Sequence, residues 1–117
     1  MDKDGNTLLH MACFRNKTKT IMALLKKGQE DLDKSALKEW INMKTTQDKF
    51  CAIHYASFRG NIHVIKELLE LGANMQVKNA YGLNCMHIAA QGNEPISLYY
   101  FKQLGLSLTS RDKRGST

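Results

Sequence analysis

The chain has no apolar run approaching the roughly 18–20 residues needed to cross a bilayer. Its start, MDKDGNTLLH, carries no apolar signal-peptide core. Both absences point to a soluble segment in the cytoplasm. Cysteine is scarce: an odd set of three, Cys13, Cys51 and Cys85, is expected to stay reduced there rather than to pair. There is no phosphate-cradling glycine loop, no dinucleotide fingerprint and no paired-carboxylate motif, so the usual grounds for reading an enzyme are missing.

Positive charge is in excess, with 17 basic against 11 acidic residues and a net charge of +6. It is not concentrated. Lys17, Lys19, Lys26, Lys27, Lys34, Lys38, Lys49, Lys66 and Lys78 are scattered along the chain, whereas a phosphate-binding surface gathers its cations on one face. Nor are aromatics interleaved with basic clusters as single-stranded nucleic acid requires. Nucleic-acid binding would therefore rest on net charge alone. What is present is ordinary: 117 residues, 43% hydrophobic and 24% charged, enough for one globular domain with a core.

That one domain is internally repetitive. TLLHMACFRN (7–16), CAIHYASFRG (51–60) and NCMHIAAQGN (84–93) align on His10, His54 and His87, each two residues before Ala12, Ala56 or Ala89. The last two histidines are 33 residues apart and the first two 44 apart, which is 33 with an insertion of 11. Fourteen residues after each histidine come Leu24, Leu68 and Phe101, and eighteen after come Gly28, Gly72 and Gly105. Five before come Gly5, Lys49 and Gly82. Gly115 and Thr117 fall 33 residues beyond Gly82 and Asn84, so a fourth repeat is expected to begin near 112 and to be cut short.

In GNIHVIKELLELG the positions Ile62, Ile65, Leu68 and Leu69 mark one apolar face of a short helix, closed by Gly72 at a left-handed position. Pro95 stands at the front of the equivalent helix in the third repeat, where its missing N–H costs little. One such helical pair cannot bury its faces alone, and stacking completes the core. In the insertion, Asp33 or Ser35 is placed to cap a helix running to about residues 39–42, with Leu37, Trp40 and Ile41 on one side. Trp40 is expected to pack on the first two repeats; the alternative is an exposed anchor for a partner.

These residues resemble the ankyrin repeat, whose signature Thr-Pro-Leu-His-x-Ala sits in a 33-residue unit of a β-turn and two helices. The resemblance covers nearly the whole chain. It implies an all-α solenoid of stacked helix-turn-helix units with β-turn fingers. The repeats would span about 2–45 (with the insertion near 29–45), 46–78 and 79–111, the truncated fourth starting at 112. The chain departs from the signature where Leu8, Ala52 and Cys85 replace the proline, and where Lys49 replaces the turn glycine, which leaves the shape of the second turn open.

Cys51 with His54, Cys85 with His87 and His10 with Cys13 have the residue types of a zinc site. Equivalent positions of stacked repeats, however, lie about 8–10 Å apart, while zinc ligands must converge around a metal about 2.0–2.3 Å away. A metal centre is therefore not expected, and neither is any other cofactor. Cys51 stands where Thr7 and Asn84 stand in the other repeats, so it reads as a turn residue rather than a nucleophile, for which a base and an oxyanion site would also be needed. The resemblance implies instead that the three histidines, neutral and buried, hydrogen-bond backbone around the turns and tie each repeat to the next.

The same resemblance places the partner-binding surface on the concave face. Mapped residue by residue, it consists of Phe14 and Arg15, Phe58 and Arg59, and Gln91, with the turn tips Lys3, Asp4 and Asn6; Gln47, Asp48 and Phe50; Ala80, Tyr81 and Leu83; and Lys113 and Arg114. Aromatics and arginines are the types most enriched at binding hot spots. The competing expectation is that Phe14 and Phe58 merely fill gaps between inner helices. The function expected is non-catalytic recognition of a protein or peptide ligand, with no small-molecule substrate.

A narrower similarity covers the last third. Gln91-Gly92-Asn93-Glu94-Pro95 with Ser97, Leu98, Tyr99, Tyr100 and Phe101 is similar to the ankyrin segment that precedes the membrane-embedded Asp-His-His-Cys protein acyltransferases. It implies a substrate-recruiting domain for S-palmitoylation at the cytosolic membrane face, with the acyl-transfer residues elsewhere in a membrane-embedded parent. A stand-alone adaptor with no enzyme attached is the alternative.

Overall fold

The structure, a computed structural model, describes residues 7–105. The turn-tip positions Lys3, Asp4, Asn6, Lys113 and Arg114, and the truncated fourth repeat, lie outside the described residues.

Thr7, Cys51 and Asn84 each adopt an extended backbone directly before a short helix. The helices that follow are α1 (Leu8–Phe14), α4 (Ala52–Arg59) and α6 (Cys85–Gln91). Each is followed across a tight turn by an antiparallel helix: α2 (Thr18–Asp31), α5 (Ile62–Glu70) and α7 (Pro95–Gln103). Pro95 occupies the first turn of α7, where no intrahelical donor is lost. α4 packs against both α1 and α6, and α5 touches both α2 and α7. The result is two layers, inner helices α1–α4–α6 and outer helices α2–α5–α7. No strand occurs among the described residues. The chain is an all-α repeat solenoid.

The core runs between the layers as one continuous cluster that includes Leu9, Ile21, Leu25, Ile53, Ile65, Leu68 and Phe101. In α5 the apolar stripe is as the periodicity requires: Ile65 and Leu68 are buried, and Ile62 and Leu69 pack on the cluster from its edge. Leu71 ends the helix and Gly72 follows at φ 107°, a conformation open to glycine without a Cβ penalty.

The first repeat differs. Gly28, the equivalent of Gly72, lies inside α2 and is buried there, because the insertion carries that helix on to Asp31. A Cβ at Gly28 would come within 2.6 Å of the Trp40 ring. Trp40 belongs to α3 (Lys34–Ile41), whose N-cap is Asp33, its Oδ1 accepting from the N–H of Ala36 at 2.7 Å. Leu37 and Ile41 join the core and Trp40 packs against it half-buried. Asn42 then fastens the insertion to the second repeat: its Nδ2 donates to the Gly72 carbonyl at 3.0 Å, and its Oδ1 accepts from the Asn74 N–H at 2.9 Å.

In the second turn the lysine takes the left-handed conformation that a glycine takes in the third. Lys49 has φ 58° and Gly82, its equivalent, φ 79°. The two turns are also joined directly, the Ala80 N–H donating to the Asp48 carbonyl at 2.9 Å.

Candidate functional site

The motif histidines set the geometry on which the concave face is built. Nδ1 of His10, His54 and His87 accepts from the N–H of Thr7, Cys51 and Asn84 at 2.9, 2.9 and 3.1 Å. An accepting Nδ1 places the ring proton on Nε2. Nε2 of His10 then donates to the Met43 carbonyl at 2.8 Å, and Nε2 of His54 to the Val77 carbonyl at 3.1 Å. The His10 and His54 rings thus span from the start of their own helix to the segment leading into the next repeat. Burial pushes the His54 imidazole down to about 4, against the smaller opposing pull of its bond to Val77, so it is neutral at physiological pH.

The cysteines are equally buried. Burial pushes the Cys13 and Cys85 thiols up to about 12 and that of Cys51 up to about 11. Such thiols are protonated and poor nucleophiles.

With the inner helices locked in register, positions three residues apart on them face the same side. The residue between the motif histidine and alanine is Met11, Tyr55 or Ile88; three residues on come Phe14, Phe58 and Gln91. Phe14, Tyr55, Phe58, Ile88 and Gln91 line a pocket of about 170 Å³ together with Phe50 and His54. Tyr55 is its hub: its ring meets Phe14 and Phe50 edge-on, with centroids 5.7 and 5.3 Å away. Phe14 and Phe58 remain 53% and 41% exposed, so they wall an open pocket rather than fill a gap between helices.

Arg59 is not part of the lining but lies against one wall of the pocket, Phe14. Its Nε donates to the Phe14 carbonyl at 2.7 Å and its guanidinium lies 5.5 Å from the centroid of the Phe14 ring, a cation–π contact. Gly92 lets the inner helices close up here: a Cβ on it would come within 2.3 Å of the Phe58 carbonyl oxygen.

The structure brings Phe14, Phe50, Phe58 and Gln91 together and puts Arg59 against them. It does not bring in the others. Arg15 lines a separate depression of about 310 Å³ with Leu8, Met11, Ala12, Lys17, Thr20 and Leu24, on the side of the first repeat facing away from the second. Leu8 is 71% exposed there, although its equivalents Ala52 and Cys85 are fully buried under a preceding repeat. Gln47, Ala80, Tyr81 and Leu83 stay on the turns. Tyr81 is exposed, and its hydroxyl donates to Asp48, which raises its pKa. The N–H groups of Tyr81 and Leu83 donate to Oδ1 of Asn79 at 2.9 and 3.0 Å, which holds the finger rigid. Reading along the chain missed Tyr55 and Ile88. The signal was present, since both occupy the variable position inside the histidine–alanine motif, one turn before Phe58 and Gln91.

A family model described as ankyrin repeats in three copies matches residues 32–112, and a model for the single ankyrin repeat matches residues 4–36. The chain belongs to the ankyrin-repeat family. Among curated ankyrin proteins it is similar to the rice "BTB/POZ domain and ankyrin repeat-containing protein NPR2", 27% identical over 97% of this chain and 18% of that protein. It is 29% identical to the "Notch-regulated ankyrin repeat-containing protein" of Xenopus tropicalis, over 74% of this chain and 82% of that one. It is 25% identical to "Palmitoyltransferase AKR1" of Kluyveromyces lactis, over 79% of this chain and 11% of that one. The chain thus spans less than a fifth of the rice and yeast proteins. Ankyrin repeats are in general protein-interaction modules. No helix among the described residues is long and apolar enough to cross a membrane.

Proposed function

We propose that this ankyrin domain is a non-catalytic module that binds an extended peptide or a partner protein's surface through its concave face, with the aromatic pocket as the centre of the contact. The observation that carries this is the exposure of Phe14 and Phe58 beside a recess that the intramolecular packing leaves open. Solenoids of this kind use the concave face as an extended binding surface, and a concentration of aromatics beside an arginine is the composition of a hot spot. The turn residues Gln47, Ala80, Tyr81 and Leu83 extend the same face, while Arg15 lies apart from it in its own depression.

The test compares the wild-type chain with Phe58→Ser as bait in a cytosolic extract, followed by titration of each purified partner. A loss of at least ~10-fold in affinity with an unchanged melting temperature supports the reading. Equal binding by Phe58→Ser removes the pocket from the interface.

A narrower reading has support from the yeast palmitoyltransferase, similar to this chain over 79% of the chain and 11% of that protein, and from the run Gln91–Pro95. In that reading the module recruits substrates on the cytosolic face of a membrane for an attached Asp-His-His-Cys acyltransferase. The longer transcript decides it. Apolar spans of about 20 residues and an Asp-His-His-Cys motif downstream are the expected outcome; repeats leading to neither would leave a stand-alone adaptor.

A further inference from the structure

The pocket is small and apolar, and a cation lies against its Phe14 wall; these three properties together narrow the ligand. At about 170 Å³ it falls below the 300–1,000 Å³ typical of sites that enclose metabolites or cofactors. A cavity of about 150 Å³ lined by apolar side chains is nevertheless large enough for a benzene ring. The recess therefore matches one large side chain, not a whole small molecule. Its walls are Phe14, Phe50, Tyr55, Phe58 and Ile88, with His54 and Gln91 the polar members and no carboxylate among them. His54 is held neutral by burial and its two backbone bonds, so it offers no charge to a ligand.

Arg59 does. Of its donors, Nε is spent on the Phe14 carbonyl. The guanidinium makes no ion pair among the described residues, and the side chain is exposed. The Nε bond and the stacking on Phe14 hold the fork in place, so little side-chain entropy remains to be lost when its terminal nitrogens meet a ligand. The chain as a whole carries +6, which favours the approach of an anion. A cationic ligand side chain, the other usual occupant of an aromatic recess, would meet that charge and find no carboxylate in the walls.

We propose that the pocket seats one apolar side chain (Phe, Leu or Met) of an extended acidic peptide, and that the terminal nitrogens of Arg59 pair with a carboxylate adjacent to that anchor. This deepens the groove reading above and rests on it.

The test selects a random heptapeptide library displayed on phage against the intact chain, then titrates the synthesised winners by fluorescence polarisation. The expected winners carry one large apolar residue beside Asp or Glu. Their affinity falls ~10-fold or more in Phe58→Ser, and a similar amount in Arg59→Gln, as expected for loss of a charge-assisted bidentate bond. Changing the peptide's Asp to Asn costs the same factor against wild type and nothing against Arg59→Gln; such non-additivity would not arise if Arg59 only supported the fold. Winners that lose affinity in Phe58→Ser but lack a carboxylate, or are indifferent to Arg59→Gln, overturn the acidic-peptide proposal and leave the groove standing. Winners indifferent to Phe58→Ser, or no enriched peptide at all, overturn both.

Discussion

Nε2 of His54 lies 3.1 Å from the carbonyl oxygen of Val77, while its Nδ1 accepts from Cys51 at 2.9 Å. A ring held this way across two segments must be neutral, since a protonated Nδ1 would face the Cys51 N–H. Burial is the larger reason that its pKa falls from 6.5 to about 4, and the charges of Lys44 and His10 push the same way. The unfolded chain takes up this proton near pH 6.5 and the folded chain only near pH 4. Stability is therefore at its full value above pH 6.5 and declines as pH falls through that window, by about 3 kcal/mol in total for this group. Urea unfolding between pH 7.5 and 4 should show the slope, and His54→Gln should flatten it.

Lys49 occupies the left-handed region that its counterpart Gly82 occupies freely. An L-residue pays about 1–2 kcal/mol there, partly offset because glycine loses more backbone entropy on folding. The Lys49 side chain is exposed. Lys49→Gly should stabilise the domain by about 0.5–1 kcal/mol, read as a higher denaturation midpoint at unchanged slope.

Gly92 has an ordinary φ of −80°, so an alanine there meets no backbone penalty. It meets the Phe58 carbonyl instead, at 2.3 Å from the new Cβ. A backbone atom cannot swing aside as a side chain can, and α4 and α6 must part. Gly92→Ala should cost about 1–3 kcal/mol by thermal or chemical unfolding. Because Phe58 moves with its carbonyl, it should also weaken any ligand of the aromatic pocket.

The three thiols should be silent in the native state. With pKa values raised to about 11 or 12 by burial, Cys13, Cys51 and Cys85 should react with a thiol-specific disulfide reagent at pH 8 at least ~100-fold more slowly than in denaturant. Rapid native labelling of any one of them would show that its repeat opens readily.

The 33-residue register made the repeat and its helical pairs legible in the chain, because each requires only a residue type at a fixed spacing; the role of the histidines came from the resemblance to the ankyrin repeat that the register revealed. A cap at Asp33 or Ser35, which the structure settles as Asp33, and Pro95 at the front of a helix are local chemistry of the same kind. Gly28 shows where such reading stops. It looks like a helix-ending glycine by position, yet it lies inside α2, which the insertion carries on to Asp31, and the Trp40 ring twelve residues later fills the space a side chain would need.

The candidate surface divides in the same way. The resemblance to the ankyrin repeat marked Phe14, Phe50, Phe58 and Arg59 for one face, along with Arg15, Gln91 and the turn residues Gln47, Ala80, Tyr81 and Leu83. Tyr55 as the hub of the pocket, the separation of Arg15 into another depression and the stacking of Arg59 on Phe14 all depend on distances between residues of different repeats, or between turn and helix. The sequence by itself determined the period and the type of side chain at each station, since periodicity is a one-dimensional property. Only the tertiary structure decided which stations meet, because the depth and walls of a groove follow from how closely neighbouring helices approach, and here a single hydrogen in place of a methyl group at Gly92 governs that approach.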